Sequence, residues 1–265
     1  MVKKLFKHEY YALLRLMIPA WCALLCVSVF GRFIQLLEHD NIAYKIVSGS
    51  SIFFYVVVLM ACLACPTVFA VVRFYRNLFS GEGYLMFTLP VTTTQHLWVK
   101  LTVALTMQIA TWLVAVSSVF VLTFGDLGWE IGKAAWYLLD LLAEKCNGHF
   151  PVLAVEAMLF VIAMAAYAML VYYACICIGQ LFGKMRLLMA FVAYFAFYTI
   201  MQVFETILLI VMAVIDMDTV MLWVSNHMVA TAHITMCYGI VQSVILGAVF
   251  YLVSHYIIRH RLNLE

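Results

Sequence analysis

Few side chains in this 265-residue sequence have the type and spacing to do chemistry. Cys62-Leu63-Ala64-Cys65 has the spacing of a redox pair, but it lies in an apolar run, where a thiol behaves as a small hydrophobe. Every other cysteine except Cys146 is likewise embedded, so no disulfide framework is expected. Gly179-Gln180-Leu181-Phe182-Gly183-Lys184-Met185 imitates a phosphate-binding loop. It has one residue too few between its glycines, and a methionine where a magnesium-binding hydroxyl belongs. The two glycines are instead spaced to let helices approach. The histidine pairs His227/His233 and His255/His260 do not match zinc-site spacing, and they read as interfacial packing with no metal expected. No nucleophile elbow of the form G-x-S-x-G occurs.

The better candidates are ionisable groups set in apolar runs: Arg32, Glu156 and Glu205. Such groups are costly in lipid and are usually paired or functional. All three are expected in the outer half of a membrane or at its edge. There they would form a structural pair or line an outward cavity. One further carboxylate, Glu82, stands in the polar stretch Arg73–Lys100, "RFYRNLFSGEGYLMFTLPVTTTQHLWVK".

The elements that position these groups follow from composition. The chain is 67% hydrophobic and 11% charged, against about 45–50% and about 25% in soluble domains. That excess marks an integral membrane protein. Six runs are long enough for a ~30 Å hydrocarbon core: 16–37, 51–72, 98–124, 152–182, 187–215 and 234–258. Helices are expected, because lipid offers backbone groups no partners and ten-residue alternating strands are absent. The fold expected is all-α: a single membrane domain, residues 1–265, of six transmembrane helices.

With the N-terminus inside, eleven of the fifteen Lys and Arg fall on the cytoplasmic side, leaving Arg32, Lys45, Lys133 and Lys145 outside. Both termini are therefore expected in the cytoplasm. The stretch 2–21, whose residues 1–15 are expected as an interfacial helix, places Leu5, Phe6, Tyr10, Leu13, Leu14 and Met17 on one helical face, with Lys3, Lys4, Lys7 and Arg15 able to reach water and lipid phosphates. This predicts a helix lying in the interface, bent by Pro19 into the first span. Residues 125–150 form an extracellular loop with an amphipathic helix, and 216–233 a short re-entrant or surface helix. There is no basic tract, so nucleic acid is not an expected partner.

Residues 73–100 are cytoplasmic in this topology. Arg73 and Arg76 are placed to anchor at headgroups, and the second helix should end near Gly81. A short amphipathic segment with Tyr84, Leu85, Met86 and Phe87 follows, and Pro90 stops it. Thr92-Thr93-Thr94-Gln95 has the form of a capping box, so a helix should begin near Thr93. Apolar side chains on such a knuckle call for a partner or a membrane surface.

This stretch resembles the first cytoplasmic loop of ABC-2 type ABC-exporter permeases of a branch frequent in Gram-positive bacteria. The matching positions are Phe74, Tyr75, Asn77, Leu78, Phe79, Glu82, Gly83, Tyr84, Leu85, Thr88, Leu89, Pro90, Val91, Thr92 and Lys100. The tail Arg261-Leu262-Asn263-Leu264-Glu265 is also similar to that branch, whereas residues 125–150 have no counterpart in it. The resemblance implies that residues 73–100 form a coupling helix docking on a separate ATPase subunit. Glu82, Gly83, Tyr84, Leu85 and Phe87 would make the contacts, and Pro90 and Thr92 would shape the bend. It further implies a second permease protomer, no cofactor in this chain, and ATP and magnesium on the partner. The substrate would be a peptide antimicrobial, a drug or a lipid, exported across the cell membrane. The alternatives are a non-transporting membrane sensor or assembly factor, or a proton-coupled secondary transporter using Glu156 and Glu205.

Overall fold

Helix length against bilayer thickness organises this chain. The computed structural model describes residues 2–37, 41–79, 92–146, 148–183 and 185–260, with the side chains at 43, 126–128, 131, 212, 213 and 215–220 outside the description. The described residues form seven helices: α1 (Val2–Leu36), α2 (Ile42–Phe79), α3 (Thr93–Thr123), α4 (Asp126–Lys145), α5 (Phe150–Gly179), α6 (Arg186–Asn226) and α7 (Met228–His260). All except α4 contain an apolar stretch long enough to cross a membrane. The protein is thus an all-helical, multi-pass membrane protein, and the six expected spans fall on six helices.

Two expectations about the connections are corrected. Helix α1 runs unbroken through Pro19, so residues 2–15 continue the helix of the first span and are not a separate helix. The apolar arc predicted to lie on the bilayer is buried or half-buried within the chain. Helix α6 likewise continues to Asn226, and α7 starts after a turn at His227, so 216–233 holds no separate surface helix. The helix expected within 125–150 is present as α4.

Contacts group the chain into two units, Met1–Arg76 with Phe87–Leu141, and Asn77–Met86 with Leu142–Glu265. Lipid is as apolar as leucine, so membrane helices associate through close packing and interhelical hydrogen bonds rather than hydrophobic burial. The first unit uses both. Trp21 Nε1 donates to Thr111 Oγ1 (3.0 Å), the Tyr55 hydroxyl meets Ser118 Oγ (2.8 Å), and Thr67 Oγ1 donates to Gln108 Oε1 (3.3 Å). These bonds tie α1 and α2 to one polar line along α3. Around them Leu24, Tyr55, Cys62 and Leu122 form a buried cluster.

In the second unit α5 packs along α7 and against α6. Gly239, Ser243 and Gly247 recur every fourth residue of α7, so they share one face. A methyl group on Gly239 would collide with the Phe160 ring of α5, and one on Gly247 would touch Leu170. This stripe brings the two backbones together. Of the glycines singled out by spacing, Gly179 is tight, since a Cβ there would lie 2.5 Å from the Arg186 carbonyl oxygen, whereas Gly183 faces open space.

Candidate functional site

The most charged buried cluster of the described residues lies where α2 ends and α3 begins. Helix α1 is about 52 Å long, well beyond a ~30 Å hydrocarbon core. Four of its five Lys and Arg residues, Lys3, Lys4, Lys7 and Arg15, precede the apolar run that starts at Leu16, so this end projects past the apolar run. Glu9 sits in this extension, on the same face as buried Leu5, Leu13 and Met17. Its carboxylate accepts from two cations. Arg73 Nε donates to Oε2 at 2.5 Å, and Lys100 Nζ to Oε1 at 2.9 Å. Side-chain exposure is 3% for Glu9, 5% for Lys100 and 21% for Arg73.

Three elements meet at one carboxylate. Arg73 stands two turns before the end of α2, and Lys100 two turns into α3. Residues 80–91 connect those helices, so Glu9 holds both stems of that segment. Arg73 was expected to anchor at lipid headgroups. Its bond to Glu9 corrects this, because a buried carboxylate needs paired cations more than a headgroup needs one arginine. Glu9 itself escaped the sequence reading. The available signal was an acid in the middle of the apolar arc of α1, a position tolerated only beside cationic partners.

The stem of α3 is fixed locally as well. Thr92 is the N-cap, its hydroxyl accepts from the Gln95 backbone N–H, and the Gln95 side chain accepts from the Thr92 N–H. The capping box read from the sequence is therefore formed, and it satisfies two amides that the helix start leaves open. One turn before Lys100, His96 is buried, and neither ring nitrogen has a hydrogen-bond partner among the described residues. Glu82, Gly83, Tyr84, Leu85, Phe87 and Pro90 lie outside the described residues, as do Gly81 and the tail 261–265.

The three intramembrane candidates are divided between the two units. Arg32, near the end of α1, donates to Gln35 Oε1 at 3.4 Å. Its guanidinium also lies against Gly125, where a Cβ would come within 2.5 Å of Nη2. Gly125 adopts φ +113°, which only glycine takes readily. Arg32 thus packs against the α3–α4 turn of its own unit. Glu156 and Glu205 belong to the second unit. Glu156 Oε2 is 2.7 Å from His233 Nδ1, both half-buried, and the His149 ring meets His233 edge-on with centroids 5.6 Å apart. His233, read as interfacial packing, is the partner of Glu156. Glu205 is exposed on α6. No group of three potential metal ligands is close enough to hold an ion among the described residues.

Comparison of the chain with family models, with curated proteins and with solved structures finds no match in any of the three.

Proposed function

We propose that the chain is the transmembrane permease subunit of an ABC-2 type exporter, driven by ATP hydrolysis on a separate ATPase subunit docked at residues 73–100. The observation that carries this reading is the attachment of Glu9 to both stems of that segment. A load applied between the stems would be passed to α1, α2 and α3 together. The capping box at Thr92 keeps α3 helical from its first residue, which a lever needs. The loop motif supplies the docking face, with Glu82, Gly83, Tyr84, Leu85 and Phe87 as contacts and Pro90 and Thr92 shaping the bend.

In this reading both termini are cytoplasmic, the chain sits in the cell membrane beside a second permease protomer, and ATP with magnesium resides on the partner. The substrate class is a peptide antimicrobial, a drug or a lipid. The test is co-purification of the tagged chain with its ATPase from native membranes. The variant carrying Glu82→Lys, Tyr84→Ala and Phe87→Ala should lose the ATPase while keeping its melting temperature. Unchanged capture by that variant removes the docking claim. ATP hydrolysis that is indifferent to this subunit in liposomes removes the transport claim.

A further inference from the structure

The face of α1 opposite Glu9 carries a different signal. Lys4, Lys7, His8, Tyr11 and Arg15 follow helical spacing down one side. At 100° per residue they lie about half a turn away from Leu5, Glu9, Leu13 and Met17, which are buried. Together with Ala12 they line a shallow, open hollow of about 470 Å³. Lys7 Nζ stands 5.9 Å from the centre of the Tyr11 ring. The only acid among residues 2–15 is Glu9. Because Glu9 is turned inward onto Arg73 and Lys100, nothing on the helix itself neutralises the outer stripe.

We propose that this stripe is a docking surface for the phosphate headgroup of an anionic membrane lipid. The argument is charge complementarity at the right depth. Arg15 directly precedes the apolar run that starts at Leu16, so it lies at the hydrocarbon boundary. Each residue adds about 1.5 Å, which places Tyr11 about 6 Å and Lys7 about 12 Å farther out. The headgroup layer is roughly 5–8 Å thick on each side, and attraction to its charge persists over a Debye length of about 8–10 Å. Tyr11 supplies the amphipathic ring that headgroup regions favour. Each cation beside an anionic surface is worth roughly a fivefold change in affinity. This inference does not rest on the proposed transport function, and it survives if no ATPase docks.

The test uses the purified full chain in detergent, mixed with equal amounts of phosphatidylglycerol and phosphatidylcholine of the same acyl length. Native mass spectrometry counts the lipids retained. Phosphatidylglycerol should be preferred by at least about tenfold at low salt. The Lys4→Gln/Lys7→Gln/Arg15→Gln variant, altered only at outward-facing positions, should bring the ratio to within about twofold of one. A Lys133→Gln/Lys145→Gln control on α4 should leave the preference intact. Equal retention of both lipids by the unaltered chain overturns the proposal. So does a triple variant that keeps the preference, or displacement of phosphatidylglycerol by millimolar inorganic phosphate, which marks a small-anion site.

Discussion

Lys100 Nζ donates to Glu9 Oε1 at 2.9 Å across ninety-one residues of sequence, and both side chains are buried. With Arg73 bonded to the other carboxylate oxygen, one acid fastens three helices. A buried charge is tolerated only with partners, and removing one partner costs far more than replacing all of them with apolar groups.

Glu9→Ala therefore removes the carboxylate that Arg73 and Lys100 share. The expected loss is on the order of 3–5 kcal/mol. Glu9→Gln should lose less, because an amide oxygen still accepts. Replacing Glu9, Arg73 and Lys100 together by leucine should recover most of the stability. Melting temperatures of the purified variants in one detergent give the order, and a Glu9→Ala protein that melts with the unaltered chain contradicts the role of the cluster.

Thr92→Ala should cost about 1 kcal/mol, since it removes the hydroxyl that accepts from Gln95 N–H, whereas Thr92→Ser should be near neutral. Hydrogen exchange of the first turn of α3 reports this directly. Amides at 93–96 should exchange faster in Thr92→Ala and at the native rate in Thr92→Ser.

Gly125→Ala meets two obstacles, a φ of +113° and the Arg32 guanidinium. A cost of roughly 1–3 kcal/mol is expected. Adding Arg32→Ala should relieve the collision but not the backbone strain, so the double variant should stay below Arg32→Ala alone in thermal unfolding.

Glu156 and His233 should be coupled. A double-mutant cycle with Glu156→Gln and His233→Ala is expected to give an interaction of about 0.5–3 kcal/mol. A cycle that closes at zero would show that their 2.7 Å approach carries no net stabilisation.

Gly239→Ala should separate α5 from α7, and Phe160→Leu in the same chain should restore much of the loss by vacating the colliding ring. Gly183→Ala, in open space, serves as the matched control and should be silent. Rescue of Gly239→Ala by a distant substitution but not by Phe160→Leu would place the contact elsewhere.

These cases show what kind of information the sequence holds. The six spans were legible because hydropathy is a local sum over about twenty residues and needs no knowledge of neighbours. The capping box at Thr92 was legible because four consecutive residues contain the whole motif. The interfacial helix expected ahead of Pro19 is instead the first part of α1. Proline inside a long helix removes only one hydrogen bond, and α1 continues through it with buried residues on both sides, Leu13 and Met17 before and Leu24 after. The close approach of α5 and α7 is written in the sequence as Gly239-x-x-x-Ser243-x-x-x-Gly247, a spacing that Gly179 and Gly183 share without the same packing at Gly183.

By itself, then, the sequence determined a membrane protein of six helical spans, the start of α3, and the costly charges Arg32, Glu156 and Glu205 but not Glu9. Only the tertiary structure decided which charges meet. Glu9 lies sixty-four residues from Arg73 and ninety-one from Lys100, and Glu156 seventy-seven from His233. Hydropathy and capping act within a turn or a span, whereas an ion pair depends on which helix faces are brought together, and that is set by packing along the whole length of each helix.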